Sequence, residues 1–260
     1  MFMQKKEVLI RASNIVRTFK VGREFTPVIK GVNLNIIENT FNIIYGPSGS
    51  GKSSLVNILA GFDRPTSGEV LIRNQNIYDL SSDQIAYFRA NHVGMVYQNN
   101  FWIKSLNVIE NIALPLGFLG YSRASSKKMA HIALERIGLS IYAKRYPYDL
   151  SVGEQQRLSL ARALSTNPMF IFADEPTGNL DTQTGDRVID LLQNCKKEFR
   201  STIILVTHNL EYLPLADTIL EIKDGTVSEN HQTAKKAVSE IMLDLQSRLT
   251  KISEREAEHV

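Results

Sequence analysis

Short runs of β-branched and aromatic residues alternate along the chain with stretches whose apolar positions recur every three to four residues. Residues 8–12, 32–37, 41–45, 70–72, 93–97, 169–173, 202–207 and 218–223 read as strands. Helical periodicity starts at Lys52, with Leu55, Val56, Ile58 and Leu59, and again near Gly185, with Val188, Ile189, Leu191 and Leu192. Strands separated by helix-sized segments predict an α/β domain with parallel strands in its sheet. Residues 99–167 break this rhythm: they are helix-rich, most clearly over 123–137 and 153–164, and predict a helical lobe inserted into the α/β core. Beyond Gly225, the residues Val238, Met242, Leu245, Leu249 and Ile252 form a short apolar seam. Such a seam either packs on its own domain or pairs with another helix.

Composition narrows the class. Lys and Arg number 30 against 27 Asp and Glu, 43% of residues are hydrophobic and 22% charged, as in an ordinary globular chain. A net charge of +3 gives no electrostatic reason to expect nucleic acid as a partner. The longest run without Asp, Glu, Lys or Arg spans 14 residues, 90–103. A spanning helix needs about 20 mostly apolar residues, so no integral membrane segment is expected. The first ten residues hold too few consecutive apolar positions for a secretory signal, and Cys195, the single cysteine, has no internal disulfide partner. A soluble, cytoplasmic chain is the expectation.

The segment Gly46-Pro47-Ser48-Gly49-Ser50-Gly51-Lys52-Ser53 carries the first chemistry. It fits GxxxxGK[ST] between a strand and an apolar-periodic helix, the context that this phosphate-binding loop requires. Glycines let the backbone curl so that N–H groups converge on phosphate oxygens, at the positive end of the following helix. Lys52 is placed for the β- and γ-phosphates and the Ser53 hydroxyl for Mg²⁺. The apolar run 169–173 ends in Asp174-Glu175. A carboxylate there suits the metal side of such a site, and the next one suits a general base acting on water. Gln98 follows one strand and His208 another, where an amide can touch metal and water and an imidazole a γ-phosphate.

Leu150-Ser151-Val152-Gly153-Glu154, at the start of a helix in the inserted lobe, resembles the signature motif of ATP-binding-cassette (ABC) ATPases. With it the family's whole ordered set stands in one chain, over about residues 8–227. The resemblance implies an α/β P-loop ATPase core with an N-terminal antiparallel β subdomain and the helical lobe, residues 228–260 being a C-terminal helical extension. It implies ATP held by Phe19 (adenine stacking), by Gly46 through Ser53 and Ser54, and by Ser151, Gly153, Glu154 and Asp181. Mg²⁺ is then held by Ser53, Gln98 and Asp174, with Glu175, His208 and Gln98 as catalytic residues. It further implies a head-to-tail dimer with a second copy of the chain and a separate transmembrane permease subunit, docked near Gln98–Ile103 at the cytoplasmic face of the inner membrane. Two positions depart from the pattern: Val152 stands where the signature usually has glycine, and Phe19 where Tyr is usual. Valine resists φ > 0 and adds a side chain near the nucleotide, so closure is weakened unless Val152 faces away.

Three stretches are similar to one branch, the lipoprotein-release, macrolide-efflux and cell-division ATPases (LolD-, MacB- and FtsE-like). They are Asp174-Glu175-Pro176-Thr177-Gly178-Asn179-Leu180-Asp181, the segment 105–116 with Glu110-Asn111 and Leu114-Pro115-Leu116, and an extended first hairpin over 19–32. The branch implies ATP-driven release or export of lipoprotein or amphipathic cargo; the alternative is a regulatory ATPase that signals through a membrane partner to cell-wall enzymes. Phe101-Trp102-Ile103 reads either as core or as the groove for that partner.

Overall fold

The computed structural model describes residues 7–230, so the apolar seam at 238–252 lies outside the described residues. Two long antiparallel strands, β1 (Val8–Val21) and β2 (Glu24–Ile37), open the chain. Sequence pattern marked only their outer ends because several register shifts along the pair break the two-residue alternation. With β4 (Ser67–Ile72) and β5 (Gln75–Asn76) they form a four-stranded antiparallel sheet in the order β2-β1-β4-β5. A second, six-stranded sheet has the order β10-β9-β3-β8-β7-β6. Its β3 (Phe41–Tyr45), β6 (Val93–Tyr97), β7 (Phe170–Asp174), β8 (Thr202–Val206) and β9 (Thr218–Lys223) are parallel, and β10 (Thr226–Asn230) runs antiparallel to β9. The expected domain boundary at residue 227 thus falls inside β10.

The central parallel strands β3, β7 and β8 are buried on both faces, which is why their sequences read as continuous apolar runs. Phe41, Ile43, Ile171, Ala173, Ile203 and Leu205 face the helical lobe and α6 (Thr182–Phe199). Their neighbours Ile44, Phe170, Phe172, Ile204 and Val206 face α1 (Lys52–Leu59) and the antiparallel sheet. Each such side chain contributes about 1.5–3 kcal/mol by leaving water.

The lobe connecting β6 to β7 holds α3 (Val108–Phe118), α4 (Arg123–Arg136) and α5 (Val152–Leu164). An Asn107–Glu110 capping box starts α3, and Pro115 within it weakened the helical signal in the sequence. Before β6, α2 (Ser82–His92) has no buried residue, so it lacked a legible apolar stripe. The lobe rests on the sheet through α5, which approaches closely at Gly94 of β6. A Cβ there would stand 3.0 Å from Ala163 O and 3.1 Å from Pro168 Cγ.

Candidate functional site

Four adjacent parallel strands end side by side, with Ile44 of β3 opposite Val206 of β8, Val206 opposite Asp174 of β7, and Asp174 opposite Tyr97 of β6. The segments leaving them are the phosphate loop, Thr207-His208, Glu175 and Gln98, so residues scattered over the sequence meet at one sheet edge. The carboxyl ends of a parallel sheet are where α/β folds place ligands.

The loop is shaped by glycine. Gly46 (φ 155°) and Gly51 (φ 104°) occupy backbone regions that side chains rarely adopt. A Cβ at Gly46 would fall 2.0 Å from Ile222 O of β9, and one at Gly51 2.8 Å from Ile29 Cδ1 of β2. Gly51 caps α1 without any side-chain hydrogen bond. The N–H groups of Lys52, Ser53 and Ser54 at that helix start are therefore not taken by a side-chain cap, which suits an anion. Lys52, nearly buried, donates from Nζ to Gly46 O and Pro47 O, both at 2.9 Å. Ser48, Gly49 and Ser50 complete the turn, and the Ser50 hydroxyl is buried without a partner.

Opposite the loop, burial pushes the Asp174 carboxyl above the ordinary range, while a hydrogen bond with the Ser53 hydroxyl pulls the other way and the Glu175 charge adds to the rise. Its Oδ1 is buried with no hydrogen-bond partner. Glu175 takes a left-handed backbone (φ 47°), which costs about 1 kcal/mol. Its N–H donates to Val206 O at 3.0 Å, and its Oε2 lies 2.8 Å from His208 Nδ1. Gln98 Nε2 donates to Asn179 Oδ1 at 3.2 Å; a Cβ at Gly178 would stand 2.8 Å from that same nitrogen. Gly178, Asp181, His208, Glu211 and Tyr212 line a cleft of about 540 Å³.

Phe19 lies on β1 opposite Thr26, with the Arg17 guanidinium carbon 4.7 Å from its ring centroid. Ser151, Gly153 and Glu154 belong to the lobe. Ser151 caps α5 in a capping box with Glu154, whose carboxylate also accepts from the Tyr142 hydroxyl. The Tyr142 bond, followed by those from Ser151, holds the Glu154 carboxyl below its ordinary range. Val152 begins the helix with φ outside the positive region and is 53% exposed, so valine is unstrained there. Gly153 is constrained more tightly: a Cβ would fall 2.2 Å from Thr184 Cγ2. Asp181 caps α6, and the Thr184 N–H at 3.0 Å and the Thr184 hydroxyl hold its carboxyl low. The strand edge thus gathers Gly46 through Ser54, Gln98, Asp174, Glu175 and His208, whereas the polar partners of Ser151 and Glu154 lie within the lobe.

The apolar cluster after Gln98 divides. Trp102 packs on the core, while Phe101 is 71% and Ile103 41% exposed. Gln156 and Arg162 of α5 and Asn111 of α3 hold this segment by its backbone, a role that the sequence reading assigned to none of them. Gln156 and Arg162 sit in a helix of mixed polarity, VGEQQRLSLARAL, which carries no local signal for this role.

Residues 29–178 match the family model described as ABC transporter. The chain is 39% identical over 228 residues to the ABC transporter ATP-binding protein MJ0796 of Methanocaldococcus jannaschii, covering 86% of this chain and 97% of that one. It is 39% identical over 221 residues to the macrolide export ATP-binding/permease protein MacB of Syntrophobacter fumaroxidans, covering 84% of this chain and 31% of that longer one. The dimeric structure of the MJ0796 cassette superposes with a TM-score of 0.78 at 40% identity, over 85% of this chain and 97% of that one. A second structure of that cassette is a post-hydrolysis dimer bound to ADP and Pi.

Proposed function

The chain belongs to the ABC transporter family, and from that membership we propose that it is the ATP-hydrolysing subunit of a membrane complex. The observation that carries this reading is the strand edge itself, where the phosphate loop, Asp174, the Glu175–His208 pair and Gln98 converge.

The loop N–H groups and Lys52 bind the phosphates, and the ring of Phe19 stacks on adenine. The residues fit Mg²⁺: Asp174 keeps a buried oxygen without a partner beside the Ser53 hydroxyl, a hard donor set for such an ion. Held by Ser53 and Asp174, with Gln98 nearby, Mg²⁺ would supply positive charge that neutralises the phosphates. Glu175 takes the proton of the attacking water, and His208, 2.8 Å from its Oε2, holds the carboxylate in place. Gln98 orients the water from the opposite side. Support for a head-to-tail dimer comes from the signature helix. The capping box occupies the Ser151 and Glu154 N–H groups and leaves those of Val152 and Gly153 for an anion supplied by a second copy.

No described helix is long and apolar enough to cross a membrane, and family membership supports a membrane-embedded permease as the partner. We place its docking at Gln98–Ile103, where Phe101 and Ile103 are exposed, and the assembly at the cytoplasmic face of the inner membrane. Likeness to the macrolide exporter supports export or release of an amphipathic or lipid-anchored cargo. Glu175→Gln tests the catalytic assignment: it should trap ATP in a stable dimer while abolishing turnover. Undiminished hydrolysis would refute the roles given to these residues. In vesicles reconstituted with the permease, cargo should stimulate ATPase activity, and absence of stimulation would favour a purely regulatory subunit.

A further inference from the structure

The signature helix α5 grips the Gln98 segment on both sides of that residue. On one side Gln156 Nε2 donates to Tyr97 O at 2.9 Å. On the other, the Arg162 guanidinium donates to Asn100 O at 2.6 Å and to Phe101 O at 3.4 Å. The same guanidinium lies 4.4 Å from the centroid of Trp102. These contacts satisfy backbone carbonyls of an irregular stretch in which Phe101 takes a left-handed conformation (φ 48°). On its far side the stretch is fixed by Asn111, whose amide accepts from the Ile103 N–H and donates to Ile103 O and Leu106 O. Burial lowers the Arg162 pKa only to about 10, so its charge is constant at neutral pH.

We propose that Arg162 is a positioning residue that joins the signature helix to the Gln98 segment, so that movement of α5 on nucleotide binding is carried to Gln98 and to the exposed Phe101. The argument is mechanical. A planar guanidinium making two directed hydrogen bonds and one ring contact fixes both distance and orientation, which a point-charge lysine cannot do. Helix α5 is capped by Ser151, where the family's nucleotide contact lies, and it runs unbroken over its 13 residues. Displacement at its first turn therefore reaches Arg162 in its last turn without an intervening hinge. This inference rests on the ATPase reading but is independent of the cargo and of the permease.

Trp102, the only tryptophan in the chain, makes the link observable. The emission and acrylamide quenching of Trp102 should change when Mg²⁺–ATP is added to the full-length Glu175→Gln protein. In the same background, Arg162→Met should retain ATP binding within about threefold, measured with a fluorescent nucleotide, while losing that change; Arg162→Lys should restore it only in part. With Glu175 intact, Arg162→Met should lower kcat on the order of tenfold with little change in KM, since misplacing an orienting group acts on the chemical step. Circular dichroism and thermal unfolding establish that the variants are folded. No nucleotide response of Trp102 in the parent, a full response in Arg162→Met, or full restoration by Arg162→Lys would each overturn the proposal. Loss of ATP binding in the parent would instead overturn the ATPase reading.

Discussion

Replacing Gly153 by alanine adds one methyl group where the signature helix meets α6. The new Cβ would stand 2.2 Å from Thr184 Cγ2. Carbon atoms in contact prefer about 3.5–4.0 Å, so an overlap of more than 1 Å must be relieved. Thr184 is poorly placed to yield. It is branched at Cβ, and both its N–H and its hydroxyl bond the Asp181 carboxylate that caps α6. Relief by rotation would break the hydroxyl bond, and relief by translation would part the two helices. Overpacking of this kind costs about 1–3 kcal/mol. For a chain of this size each kcal/mol lowers Tm by about 2–4 °C, so a fall of roughly 2–12 °C is expected by calorimetry on the nucleotide-free protein. Thr184→Ser removes the offending methyl and keeps the capping hydroxyl, so it should recover most of the loss when combined with Gly153→Ala. Unchanged stability of Gly153→Ala, or a double variant no better than the single one, would refute the argument that Thr184 makes glycine obligatory here.

Two further predictions concern titrating groups. Asp174 has its pKa raised by burial, so its contribution to stability is fully present below the ordinary aspartate pKa and is lost as pH rises through the folded value. Asp174→Asn should therefore stabilise the nucleotide-free protein at neutral pH, by an amount that disappears on acidification, while abolishing metal-dependent hydrolysis; denaturant titrations at several pH values check both the sign and the window. Burial pushes the Cys195 thiol up to about 12, so iodoacetamide at pH 8 should leave it unmodified until the protein unfolds, as mass spectrometry of native and denatured samples would show.

The parallel core was legible because its strands are apolar on both faces and short, and residues 41–45, 93–97 and 218–223 coincide with β3, β6 and β9. The long hairpin was not fully readable, since its register shifts disrupt alternation, and α3 was masked by Pro115. At the site, the phosphate loop and Asp174-Glu175 have local spacing that carries its own chemical meaning. Gln98 and His208 gained meaning only beside the phosphate loop and the acid pair, and weight from the family resemblance, because a lone amide or imidazole after a strand has no local signal. The sheet order then brings both strand ends to one edge. Asn179, Gln156 and Arg162 act on partners tens of residues away, and nothing in their own surroundings announces this. The doubt raised by Val152 came from expecting φ > 0 where glycine is usual; at the first position of α5 the backbone is helical and valine meets no steric objection.

The way the helical lobe joins the sheet limits how it can move. The chain leaves the sheet at Tyr97, the carboxyl end of β6, and returns at Phe170, the amino end of the neighbouring β7. The two anchorages are separated by the length of a strand, about 16 Å for five residues. A body pinned at two points keeps one easy freedom, rotation about the line joining them, and that line crosses from the end of β6 to the start of β7. Gly94 of β6 lies between these anchorages, where a Cβ would stand only 3.0 Å from Ala163 O and 3.1 Å from Pro168 Cγ, so the lobe sits against bare backbone there.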